Sequence, residues 1–135
     1  MSRFLLDTSA LLTLRDDEPG ADLVARTLGA SQRNEAQCFG CFISLMEVYY
    51  RVWKDEGQSA GRLAYEQCLA LPIVWVHEDA ELLEKASEIK ATRRLSLADA
   101  WVAACALQQD AALMHKDPEF EPMAIDQIRL PYKSG

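Results

Sequence analysis

Four carboxylates, Asp7, Glu47, Asp99 and Asp117, sit where an apolar stretch ends or a helix begins. Asp7 closes Phe4-Leu5-Leu6 and precedes Thr8-Ser9. Glu47 lies in Ser44-Leu45-Met46-Glu47, after the run from Cys38 to Ile43. Asp99 lies in Ser96-Leu97-Ala98-Asp99, at the head of an uncharged stretch from Ala100 to Leu107. Asp117 follows Ala111-Ala112-Leu113-Met114-His115-Lys116. Hard divalent cations take oxygen ligands from several chain segments at once. A carboxylate beside so apolar a helix is driven toward its neutral form unless a cation or hydrogen bonds offset its desolvation. If the four converge, the chemistry open to them is metal-assisted attack on a phosphate.

Each acid also has an ordinary helix-end role. Ser44-x-x-Glu47 has the form of a capping box, and Ser96-x-x-Asp99 is its Asp variant. Glu47 can pair with Arg51 at i+4. Asp7 can cap a helix starting near Ser9, and Asp117 before Pro118 reads as an N-cap with proline at the first helical position. Among 21 acids some cap helices by chance. Chance does not account for these four falling in the most apolar local contexts.

The elements that must position them alternate. Arg3 to Leu6 reads as a strand, Ser9 to Leu14 as a short helix, and Glu18-Pro19-Gly20 restarts a helix running to about Gly29. Gln37 to Ile43 reads as the second strand. Ser44 then opens an amphipathic helix with Leu45, Val48, Tyr49, Val52 and Trp53 on one face, ended by Gly57. A helix over about 59–71, a short strand from Ile73 to Val76, and a helix over 79–93 follow, the last with Leu82, Leu83, Ala86 and Ile89 inward. Ser96 caps a helix to about Gln109; Ala111 to His115 and Ile128 to Leu130 read as strands. Strands separated by helices predict a parallel sheet with helices on both faces. Right-handed crossovers then bring the strand ends to one edge. Asp7 and Asp117 are expected at strand ends, Glu47 and Asp99 in first helical turns.

A chain of 135 residues is expected to form a single domain (1–135). No apolar stretch approaches membrane-spanning length, and the start lacks the features of a signal peptide, so the expected location is cytoplasmic. The net charge of -7 excludes a generic nucleic-acid sponge but not a nucleic-acid enzyme, because bound cations invert the local sign. Cys38-Phe39-Gly40-Cys41 has redox or zinc spacing, but it lacks a second ligand pair and lies in a strand. Residues three apart in a strand face opposite ways, so buried small hydrophobes are expected.

At these residues the chain resembles a known family. Phe4-Leu5-Leu6-Asp7-Thr8-Ser9-Ala10-Leu11-Leu12, Ile43-Ser44-Leu45-Met46-Glu47-Val48, Leu95-Ser96-Leu97-Ala98-Asp99-Ala100 and Leu113-Met114-His115-Lys116-Asp117-Pro118-Glu119-Phe120 are similar, in order, to the motifs of PIN-domain nucleases. Length and motif order are most similar to VapC-type toxins of bacterial and archaeal toxin–antitoxin pairs. The resemblance implies a PIN-like three-layer α/β fold, a central parallel sheet flanked by helices. It implies an endoribonuclease dependent on Mg²⁺ or Mn²⁺, with one or two ions held by Asp7, Glu47, Asp99 and Asp117. It implies RNA as substrate, a cognate antitoxin as partner, and commonly a homodimer. Ser9 matches the small polar position of the first motif and is a supporting candidate. His115 stands where many members carry Ser or Thr, and is a second supporting candidate through a hydrogen bond to a ligand or water.

Four ionised carboxylates repel a phosphodiester unless cations compensate. Lys116, Arg51, Lys54 and the group Lys90, Arg93 and Arg94 are available for that. Two other readings remain. A catalytically inactive PIN-like binding protein would use the same acids as sockets for basic side chains of an antitoxin-like partner. A phosphoacceptor receiver domain would also be acidic at strand ends, but it wants an adjacent acidic pair after the first strand, where Asp7 stands alone.

Overall fold

Leu5 and Leu6, neighbours on the first strand, point to opposite sides of one sheet and into two different cores. The computed structural model describes residues 1–132. Its strands are β1 (Ser2–Leu6), β2 (Ala36–Cys41), β3 (Val74–Val76), β4 (Ala112–His115) and β5 (Gln127–Arg129). Its helices are α1 (Thr8–Arg15), α2 (Ala21–Gln32), α3 (Phe42–Glu56), α4 (Gln58–Ala70), α5 (Ala80–Thr92) and α6 (Leu97–Gln108), with a 3-10 turn over Pro118–Phe120. The strands form one sheet in the order β3-β2-β1-β4-β5, every pairing parallel. The PIN-like α/β layering expected from the sequence is therefore present.

One core packs α5 and α6 on Leu5, Phe39, Cys41 and Leu113. The other packs α1 to α4 on Leu6, Cys38 and Met114. Cys38 and Cys41 thus lie on opposite faces as buried, unpaired thiols, and joint chelation is geometrically blocked. In α6, Ala100 and the run from Val102 to Ala106 are fully buried, as expected for a helix apolar on almost every side. At Gly40 an added Cβ would lie 2.4 Å from the Trp75 ring, so only glycine lets that indole cross the β2 backbone.

Three local expectations change. Strand β2 ends at Cys41 and α3 begins at Phe42, two residues early, so Ser44 is not a cap but a buried residue inside the first turn. Glu47 consequently falls in the second turn of α3. Trp53 and Leu83, expected inward, are 47% and 46% exposed, because their positions lie at the rims of the apolar stripes led by Val48 and Leu82.

The sheet grows outward from β1 in both directions: β2 and β3 to one side, β4 and β5 to the other. The crevice at the carboxyl ends of β1 and β4 is therefore a topological switch point, the place where open α/β sheets accept ligands.

Candidate active site

Asp7 leaves the end of β1 and caps α1. Its Oδ2 accepts the Ser9 N–H at 3.1 Å and the Ser9 hydroxyl at 2.5 Å. Its Oδ1 is buried and has no hydrogen-bond partner among the described residues. Burial pushes the Asp7 carboxyl above its ordinary range; the Ser9 bonds oppose this, and the charges of Glu47 and Asp117 reinforce it. An orphaned carboxylate oxygen buried at a switch point is what a cation ligand looks like before the cation is counted.

Asp99 enters from the other side, in the first turn of α6. The Ser96 hydroxyl accepts the Asp99 N–H at 3.1 Å, the forward arm of a capping box. The return arm does not come from Asp99: the Ser96 N–H donates to Glu119 Oε2 at 3.4 Å. The Asp99 carboxyl is thereby left facing the crevice, 8% exposed. It is pushed up to about 9, first by burial, then by the neighbouring carboxyls of Asp117, Asp7 and Glu119.

Asp117 follows β4 and caps the 3-10 turn, its Oδ1 accepting the Glu119 N–H at 3.0 Å. The turn swings Glu119 back over the crevice. Carboxylate oxygens of Asp99, Asp117 and Glu119 lie within 4.8 Å of one another. Glu119 escaped the sequence reading; its one signal was Asp117-Pro118-Glu119, a turn that returns an i+2 acid toward the first.

Glu47 stands apart from that triad, although its charge reaches Asp7. Its Oε1 accepts the Thr8 hydroxyl at 2.7 Å, and its Oε2 accepts from Arg51 at 3.1 Å. Thr8 has one hydroxyl proton and Ser44 Oγ lies 2.8 Å away. With the Thr8 proton on the carboxylate, Ser44 donates to Thr8, giving a buried chain Ser44 to Thr8 to Glu47. Thr8, flanked by the two singled-out residues Asp7 and Ser9, was also missed.

Ser9 joins the two strand ends. Its hydroxyl donates to Asp7 and accepts the Lys116 N–H at 2.9 Å, across 107 positions of sequence. Lys116 itself points away: its ammonium reaches Glu18 at 3.3 Å and the Pro19 carbonyl at 3.1 Å, with the side chain 9% exposed. It does not serve the crevice as a cation. Arg51, tied to Glu47, lies beside the crevice and lines a groove of about 500 Å³ with Ser9, Arg15, Tyr50, Lys54 and Lys116. Lys90, in the last turn of α5, and Arg93 and Arg94, between α5 and α6, are exposed. His115 is fully buried at the end of β4.

The donors are all hard oxygens, the set that suits Mg²⁺ or Mn²⁺ rather than zinc or copper. With the orphaned Asp7 oxygen, Asp99, Asp117 and Glu119 fit such an ion. Without one, burial first and then the neighbouring carboxyls hold Asp99 above its ordinary range.

No curated protein matches the sequence. The solved structures that resemble it include VapBC2 from Rickettsia felis bound to a promoter DNA fragment (TM-score 0.76, 14% identity, covering 96% of this chain and 99% of that one). DNA-bound VapBC from Salmonella typhimurium is similar too (TM-score 0.76, 18% identity, 96% and 98% covered). So is VapC20 from Mycobacterium tuberculosis, a sarcin-ricin loop cleaving toxin (TM-score 0.72, 18% identity, 93% and 98% covered). At these identities the likeness is one of fold. The family model of the PIN domain matches residues 4–125, a span that takes in both strand ends of the switch point and every acid around it. The chain belongs to the PIN domain family.

Proposed function

We propose that the protein is a metal-dependent endoribonuclease and the toxin component of a VapBC-type toxin–antitoxin pair. The observation that carries this reading is the convergence of Asp99, Asp117 and Glu119 within 4.8 Å, beside the buried, unpartnered Oδ1 of Asp7. Asp7, Asp99, Asp117 and Glu119 would hold Mg²⁺ or Mn²⁺, one or two ions. When bound, such an ion supplies Lewis acidity, lowering the pKa of a water and offsetting charge at the phosphorus. Glu47, kept in place by Thr8 and Arg51, orients the attacking water or completes the ligand set through one. Ser9 holds the Asp7 carboxylate and the loop after β4 in register.

RNA as the substrate, an antitoxin as the partner, a homodimer as the assembly and the cytoplasm as the location belong to the same reading. They are supported by similar folds solved as VapBC complexes and as a VapC toxin. Among the described residues no helix is long and apolar enough to cross a membrane.

The test is cleavage of defined single-stranded RNAs by the partner-free protein, with Mn²⁺ or Mg²⁺ and with chelator. Cleavage that needs the ion and vanishes in Asp7→Asn and Asp99→Asn is expected. Full activity in both variants, or cleavage unaffected by chelator, refutes the assignment. One observation favours a binding protein instead: Glu47 already holds a guanidinium, as a socket for a partner's arginine would. RNA left intact at every ion concentration, with tight binding of a basic partner peptide, selects that reading.

A further inference from the structure

The imidazole of His115 is fully buried at the end of β4, and its two polar contacts are directional. The Gln127 amide nitrogen donates to the Phe120 carbonyl at 2.8 Å and to the Met123 carbonyl at 3.1 Å. Those two acceptors fix which end of the amide is nitrogen, so the Gln127 oxygen must face the ring. It lies 2.9 Å from His115 Nε2, which therefore carries the proton and donates. The other ring nitrogen, Nδ1, is left as an acceptor and receives the Asp117 backbone N–H at 3.0 Å. Phe120 packs its ring at a steep angle against the imidazole, with centroids 5.1 Å apart, and closes the remaining freedom of the ring.

A side-chain acceptor at one residue taking the N–H two residues on is the pattern of an Asx or Ser/Thr turn, made here by an imidazole. Its neighbour is clamped as well: the Lys116 N–H is held by Ser9. Two successive backbone donors after β4 are thus captured by buried or half-buried side chains. Asp117 begins where the ladder to β1 has ended, and its own backbone is extended. With its N–H free, rotation about the preceding peptide would swing its carboxyl away from Asp99.

We propose that His115, oriented by Gln127, is a positioning residue that locks the Asp117 backbone so that its carboxylate faces Asp99 and Glu119. This rests on the metal-site reading above only for its consequence, not for the clamp itself. Outer residues that orient metal ligands commonly affect affinity by about 10–100-fold.

The test uses His115→Asn and His115→Gln. Asparagine can keep an acceptor at the position of Nδ1; glutamine keeps the reach of Nε2 toward Gln127 and loses that acceptor. Gln127→Leu, at a half-buried position, releases the ring without opening the core. Two readouts are needed: hydrogen exchange of the Asp117 amide, and the Kd for Mn²⁺ from metal titration, with RNA cleavage alongside. Expected are a protected Asp117 amide and a Kd within about threefold of the parent in His115→Asn. In His115→Gln the amide exchanges freely and Mn²⁺ binds about tenfold or more weaker, with Gln127→Leu between them. Equal losses in the two His115 variants, following only the drop in Tm, overturn the proposal. So does an unprotected Asp117 amide in the parent protein. A protected amide in a parent that binds no Mn²⁺ leaves the clamp standing and defeats the nuclease reading.

Discussion

Replacing Asp99 by asparagine separates the stability of this site from its chemistry. In the folded, metal-free protein burial and the carboxyls of Asp117, Asp7 and Glu119 raise Asp99 to about 9. In the unfolded chain it ionises near the ordinary 3.8. The folded state therefore keeps a proton that the unfolded state has released, and stability falls as pH rises from about 4 to about 9. At about pH 8 this one group has a ceiling near 6 kcal/mol of lost stability, at about 1.4 kcal/mol per pH unit. Relaxation of the crevice and proton sharing among the carboxyls reduce it, and a gain of about 1–3 kcal/mol is expected when asparagine removes the proton uptake linked to folding. For a domain of this size that is a Tm higher by about 4–12 °C.

The assay is thermal unfolding in chelator between about pH 5 and pH 8.5, repeated with Mn²⁺. Asp99→Asn should be the more stable protein in chelator, by a margin that grows with pH. An ion bound by the folded state alone adds about 2.7 kcal/mol at a hundred times its Kd. The parent should gain this and the variant should not, so that Mn²⁺ narrows or reverses the order. RNA cleavage should be lost throughout. A variant no more stable than the parent in chelator, with the same dependence on pH, would falsify the account of a mutually repelling cluster.

Ser9→Ala removes a donor to Asp7 and the acceptor of the Lys116 N–H. Cleavage should fall about 10–100-fold and stability by about 1–2 kcal/mol, read by kinetics and urea unfolding. Gly40→Ala places a methyl against the Trp75 ring and should lower stability by about 1–3 kcal/mol while leaving the Mn²⁺ Kd unchanged. Lys116→Met should destabilise the protein yet leave the salt dependence of RNA binding intact, because its ammonium is engaged by Glu18 and Pro19. Arg93→Ala and Arg94→Ala, measured in the Asp99→Asn background, should each reduce that salt slope by about one; an unchanged slope places the RNA elsewhere.

Much of the fold was legible because hydrophobic periodicity reports local geometry. Strands as short as Arg3 to Leu6 and a helix as uniformly apolar as α6 announce burial on both sides. The placement of Asp7 and Asp117 at strand ends followed from the same pattern. The start of α3 did not, since Phe42 and Ile43 suit a strand equally well, and Ser44 had the outward form of a cap. That two-residue difference moved Glu47 into the second turn, where it bonds to Thr8 instead of its own helix end.

The chain by itself determined the alternation of strands and helices, the acid at each end, and hence which residues could meet. Only the tertiary structure decided which of them do. Parallel crossovers set β1 beside β4, so Ser9 and Lys116 share a hydrogen bond although sequence spacing relates neither to the other. The same closure recruits Glu119 in place of Glu47 beside Asp99, and diverts Lys116 to Glu18. Local patterns encode which way a side chain leaves its own backbone. What it meets there depends on the through-space packing of segments far apart in sequence, which no window of sequence contains.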